Sequence, residues 1–243
     1  MALCNGPAQP NQSLAHGLAC LLELASSDGP LGSRQVARAL DMEPTRANRL
    51  LGTLAQLGLA SRTADRRYTV GPGISILAAM ALRRSRLLTC ALPHIRRFQE
   101  ATGLGVALGM LWRRDVCYLY HGSPGSATLA AITGQDLFPA EVSSIGQVLL
   151  SELPEEAVRR LYAGGPGPRP AGLDVEALLG LLGQVRARGY GVLAGQSVAV
   201  PVGHPAVAGL AAMGVEQPDG IPAAVARLRG TAQAIRNDVE SNA

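Results

Sequence analysis

Lysine is absent from this 243-residue chain; all 22 basic residues are arginine. Aromatic side chains are also scarce, 3% of the total. With so few rings, a core must be built from leucine, alanine and valine. Little is left to stack on unpaired bases, which favours duplex over single strands as any nucleic-acid target. The longest apolar runs, such as residues 74–82, fall far short of the roughly 20 residues of a membrane-crossing helix, so no membrane partner is expected. Cys4, Cys20, Cys90 and Cys117 form no CxxC pair, which argues against both a disulfide framework and a zinc site. His16, His94, His121 and His204 make no HExxH or other close pair, and no G-x-S-x-G elbow occurs. The first residues lack a basic start followed by an apolar stretch. A cytoplasmic protein with no metal, cofactor or catalytic residue is therefore expected.

What is present is a 47% hydrophobic composition, enough for a buried core, and an uneven charge. The formal net charge is only +4. Residues 33–97, however, hold twelve arginines against three acids, a net of +9, whereas residues 101–243 hold ten arginines against twelve acids. One segment is electropositive and the rest is not, as in a polyanion-binding module joined to a second domain.

The pattern along the chain supports that division. Residues 1–12 read as a flexible arm. Ser13 is placed to cap a helix to about Ser26 with Leu14, Leu18, Leu21, Leu22 and Ala25 on one face. Ser33 is placed to cap a short second helix with Val36, Ala37 and Leu40 inward. Pro44 suits the first turn of a third helix that buries Ala47, Leu50, Leu51, Leu54 and Leu57 and stops at Gly58. Residues 59–70 then read as a β-hairpin around 63–66. Three helices followed by a hairpin describe a winged helix-turn-helix, whose third helix enters the major groove.

Helical spacing sets Thr45, Arg46, Asn48, Arg49 and Thr53 outward or at the edge of that helix. Arginine can bond bidentately to guanine and asparagine to adenine; Thr45 can meet a thymine methyl or a phosphate. Ser33, at a helix start, can offer its hydroxyl and N–H to a phosphate. Arg62, Arg66 and Arg67 would grip backbone or minor groove at the wing.

Further on, residues 74–84 form an apolar helix (Ile74, Ile76, Leu77, Met80, Ala81, Leu82), too rich to lie exposed alone, so it is expected to pack against its mate in a homodimer. The remainder alternates helices with strands, including 106–112, 116–121, 127–133, 197–202 and 207–213, with a surface loop over 164–172. The fold class is thus α+β in two domains: a winged helix-turn-helix over 13–72, a linker helix over 73–87 and a mixed α/β domain over 88–243.

The stretch SRQVARALDMEPTRANRLLGTLAQLGLASR, followed by RRYTVGPG, resembles the N-terminal domain of IclR-type transcriptional regulators. The later LFPAEVSSIGQVLLSEL, LLGQVRARGYGV, SVAVPV and AVAGLAAMGV resemble successive pieces of the same family, in order. The resemblance implies a winged helix, a linker helix and an effector-binding domain. It implies dimers through the DNA-binding domain, and often dimers of dimers, that bind a double-stranded operator and commonly repress catabolic operons. It also implies that a small organic acid is held at the helix start matched by Ser144 and Ile145. Further contacts would come from Met110, Leu137, Pro201, Ala211 and Met213.

Three departures stand out. Arg46 replaces the family's usual Ser or Thr, Gln147 its usual lysine, and Pro201, Ala211 and Met213 are apolar where acid-binding members tend to have Cys or Ser. A carboxylate there would lose donors, so either a more apolar effector, such as an aromatic one, or an impaired pocket is expected.

An enzyme fused to the winged helix is the competing reading. Arg186 to Gly191 fits the R-x-x-G-x-G loop of acetyltransferases. That loop needs a strand before it and a helix after it, the reverse of the order expected here.

Overall fold

The computed structural model describes residues 11–133, 137–163, 172–193, 196–215 and 220–241, and the chain divides into two compact units at Arg84/Ser85. The first unit contains α1 (Gln12–Ala25), α2 (Ser33–Ala39), α3 (Pro44–Gln56), β1 (Ala60–Arg62), β2 (Tyr68–Val70) and α4 (Pro72–Arg84). Its core gathers Cys20, Leu24, Val36, Leu51, Leu54, Ala60 and Tyr68.

Asn11, not Ser13, caps α1: its side chain accepts from the N–H groups of Ser13 and Leu14. The buried stripe is Gly17, Cys20 and Leu24, rotated from the leucine face expected from the sequence. Leu14 and Leu18 are 63% and 49% exposed. α2 is capped by Gly32, whose N–H donates to the Gln35 side chain, and Ser33 is its first residue rather than its cap. Leu57, expected inside, lies past the end of α3 and is 65% exposed. Gly58 follows with a positive φ of 72°, the left-handed stop that favours glycine.

β1 and β2 pair antiparallel from Ala60↔Val70 to Arg62↔Tyr68. Leu31, ahead of α2, adds a third strand position by exchanging two backbone hydrogen bonds with Tyr68, both 2.8 Å. α4 leaves no residue buried; Ile76, Leu77, Met80 and Leu82 are 42–61% exposed.

The second unit contains α5 (Arg86–Thr102), β3 (Gly105–Trp112), β4 (Asp115–Gly122), α6 (Thr128–Thr133), β5 (Phe138–Pro139), a 3-10 turn (Ala140–Val142), α7 (Ser144–Ser151), α8 (Glu155–Ala163), α9 (Val175–Arg188), β6 (Gly191–Leu193), β7 (Ser197–Val202), β8 (Ala208–Met213) and α10 (Gly220–Ser241). Its sheet runs β5-β4-β3-β8-β7-β6, every neighbour antiparallel. Strand alternation divides the core. Val106, Leu108, Val198, Val200, Leu210 and Ala212 face α5 and α10. Ala107, Val116, Ala199 and Ala211 face α7, α8 and α9.

Residues 128–133, expected as part of a strand over 127–133, are the helix α6. Their alanines favour helix, and Ala131 packs its methyl against Gly122 of β4. β5 and β6 are strands that the sequence reading treated as connections. Of the loop expected over 164–172, residues 164–171 lie outside the described residues.

Candidate DNA interface and ligand cleft

The exposed face of α3 begins with its cap. The Glu43 side chain accepts from the Arg46 N–H at 2.8 Å. Hydrogen bonds from the Thr45 and Arg46 backbone, with the Thr45 side chain, hold the Glu43 carboxyl below the usual carboxylate range. Thr45, Asn48, Arg49 and Thr53 are exposed and Arg46 is half-buried, while Ala47, Leu51 and Leu54 turn inward. The Tyr68 hydroxyl donates to Asn48 Oδ1 at 3.5 Å and ties the wing to α3. Thr53 bonds its own helix, at the Arg49 carbonyl.

The three wing arginines differ in their contacts. Arg62 lies over the Tyr68 ring, 5.7 Å from its centre. Arg67 donates to the Pro30 carbonyl at 3.2 Å and pairs with Asp65 at 3.4 Å, so it braces the wing. Arg66 sits at φ 63° on the turn, its N–H donates to the Thr63 carbonyl at 3.0 Å, and its side chain makes no hydrogen bond or ion pair among the described residues. Ser33 is half-buried in the first turn of α2. The structure thus brings α3 and the wing together as one arginine-bearing surface in the first unit.

In the second unit a cleft of about 220 Å³ opens over the α7 face of the sheet. Ser144, Ile145, Ala211 and Met213 line it. Met110, Leu137 and Pro201 do not. Met110 faces the α5–α10 side of β3. Leu137, 40% exposed, precedes the lining residue Phe138. Pro201 pairs with Gly209, over which Ile145 is seated, so Ile145 stands between Pro201 and the cleft.

The sequence reading missed the cleft's other polar groups: Tyr118, His121, Ser143, Gln196 and Ser197. Ser144 and Ser197 hydroxyls are 2.7 Å apart, and the Tyr118 hydroxyl is 3.2 Å from Ser143 Oγ. Ser143 Oγ also accepts from the Gly146 N–H as the α7 cap. Tyr118 and His121 meet edge to face, with ring centres 5.3 Å apart. Three residues apart on a regular strand, they would point to opposite faces. An irregularity in the β3–β4 register, where Leu108 meets Tyr120 but Gly109 meets Tyr118, turns both into the cleft. Nothing in the residue pattern marks that irregularity. Burial pushes the His121 imidazole below its ordinary pKa, partly offset by a hydrogen bond to its own backbone. No Arg, Lys, Asp or Glu lines the cleft among the described residues.

Gln147, buried in α7, donates its amide to the Glu141 carbonyl at 3.2 Å, while its Oε1 has no partner among the described residues. Arg186 to Gly191 runs from α9 into β6 around Gly189, a left-handed C-cap at φ 74°. The helix comes first and the strand second, opposite to an acetyltransferase phosphate loop.

Residues 13–64 match the IclR helix-turn-helix domain. The HTH-type transcriptional regulator BhcR of Paracoccus denitrificans is 30% identical over 70% of this chain, a match spanning 62% of BhcR, less than two thirds of its length. The IclR transcriptional regulator of Alicyclobacillus acidocaldarius is 25% identical with a TM-score of 0.69, and the alignment covers 95% of this chain and 100% of that one. Residues 13–64 thus carry an IclR-type helix-turn-helix domain, and the chain is similar to IclR transcriptional regulators along most of its length. An IclR homologue from Microbacterium hydrocarbonoxydans, solved in complex with 4-hydroxybenzoate, is 25% identical with a TM-score of 0.65 over 94% of this chain and 99% of that one.

Proposed function

We propose that this chain binds a specific double-stranded operator, acting as a repressor of a catabolic operon, and that a small organic molecule in the cleft sets its affinity. The exposed α3 face carries this reading. Thr45, Asn48 and Arg49 stand on a helix whose buried side is locked by Ala47, Leu51 and Leu54. Ser33, Arg46, Thr53, Arg62, Arg66 and Arg67 surround them as phosphate or groove contacts. A groove-reading helix beside a cationic wing is the arrangement that duplex recognition needs. Residues 13–72 are the DNA-binding domain in this reading, 73–87 the linker and 88–243 the effector domain.

The exposed apolar side of α4, with Leu14 and Leu18 of α1, supports a homodimer and hence a pseudo-palindromic site; a dimer of dimers extends the same scheme. Ligand binding shifts the effector domain's equilibrium, and the linker helices reset the spacing of the two recognition helices. Because a relative holds 4-hydroxybenzoate, ring-sized acids are the first effectors to try. Gel-shift and footprinting assays on DNA flanking the gene, with and without such acids, test the proposal. A protected palindrome that is released by a ligand without turnover is expected. Retention on random DNA alone, or turnover of the ligand, would reject it.

A further inference from the structure

A hydrogen bond between the wing and α3 sets which way a candidate base reader faces. Tyr68 is 3% exposed, yet its hydroxyl reaches Asn48, an exposed residue in the first half of α3. The Tyr68 backbone is held on both sides, by Leu31 and by Arg62 of β1, and the Arg62 guanidinium covers the ring. The hydroxyl is therefore fixed in place. Among the described residues its sole hydrogen-bond partner is Asn48 Oδ1, at 3.5 Å. A phenol has one proton to give, and a buried donor left without an acceptor is costly. If the Asn48 amide turned over, its NH2 would face the hydroxyl and the phenolic proton would lose its acceptor. Oδ1 is thus kept inward and the two amide N–H groups outward.

Resting on the operator binding proposed above, we infer that Asn48 selects guanine rather than adenine in the major groove, and that Tyr68 imposes the choice. An asparagine that reads adenine uses both ends of its amide: Oδ1 accepts from N6 and the NH2 donates to N7. Here Oδ1 is engaged from behind, so only donors face the groove. Guanine presents two neighbouring acceptors, N7 and O6, which suit the two N–H groups. Adenine carries a donor in the place of O6, and cytosine also presents a donor, so N–H would meet N–H and be left unpaired. Thymine offers one acceptor, O4, beside a methyl group. The pairing with adenine expected from residue type alone is therefore reversed by a wing residue twenty positions further along the chain. Tyr68 acts as a positioning residue and needs no DNA contact of its own.

The test uses the full chain to select duplexes from a pool with a randomised central stretch, and repeats the selection with variants. The parent should enrich sites in which one position of each half-site holds guanine about tenfold over adenine. Asn48→Ala should erase the preference at that position and at no other. Tyr68→Phe keeps the ring and frees Oδ1, so the guanine-to-adenine ratio there should fall to about one while the other positions keep theirs. Asn48→Asp presents only acceptors and should turn the same position to a donor base, adenine or cytosine. That variant decides the matter if Tyr68→Phe misfolds and enriches nothing. Adenine in the parent at the position that Asn48→Ala alters would overturn the inference, as would an unchanged ratio in a folded Tyr68→Phe or guanine retained in Asn48→Asp. So would a parent site in which Asn48→Ala alters no position. In each of these cases operator binding itself stands; if the parent enriches no sequence at all, that function has failed as well.

Discussion

Individual side chains carry the sharpest consequences. Arg49 is exposed on α3 and makes no side-chain bond among the described residues, so it is available for a base edge. Arg49→Ala should cost about 1–3 kcal/mol of operator affinity and relax specificity at one position, as read by competition gel shifts. Uniform weakening across sequences would mean that Arg49 meets only phosphate. Gly146 makes a different kind of demand. A Cβ there would lie 2.1 Å from the Ala140 carbonyl oxygen and 2.4 Å from Ala140 Cα, both backbone atoms that cannot swing aside. Gly146→Ala should therefore destabilise the second unit by at least the roughly 1–3 kcal/mol typical of overpacking, measured by urea unfolding. These two residues also show what a sequence discloses. Arg49 was legible because helical periodicity fixes its direction. The need for glycine at 146 was not, because it arises from the 3-10 turn folding back against α7. The polar cleft residues were hidden for a similar reason: Ser144 and Ser197 meet only through the tertiary fold.

At the scale of elements, the cap of α3 controls how its first turn is presented. The native contacts of Glu43 lower its carboxyl pKa, so the stabilisation they give is fully present above the unfolded value, about 4.3, and is lost as pH falls through the lower folded value. Thermal melts of the first unit should show this acid loss, and Glu43→Gln should flatten it. Elements also mark where pattern reading succeeded. α3 carries a strong apolar stripe against its own core and emerged near the expected bounds. α1 did not follow its leucines, because a stripe tells that a face needs covering without telling which chain covers it. β6 was invisible because three residues beginning with glycine show no alternation, and Gly191 is there to let the backbone approach Ser144.

For the whole molecule, the unpartnered apolar side chains of α4 predict assembly. Leu77→Asp should turn a dimeric sedimentation profile into a monomeric one at micromolar concentration, and weaken palindrome binding more than half-site binding. The arginine-rich first unit predicts steep salt dependence. Removing Arg66 should reduce the slope of log affinity against log salt by about one if it neutralises a single phosphate.

The two hydrogen bonds between Leu31 and Tyr68 make the wing something other than a free hairpin. Tyr68 is buried under Arg62 and reaches Asn48 on α3, so the strand cannot peel away without uncovering its ring and releasing α3. Opening of the wing and loosening of α3 are then a single event. Hydrogen exchange would register it as one shared protection factor for the amides of Leu31 and Tyr68, close to that of the α3 interior and far above that of the turn at 63–66.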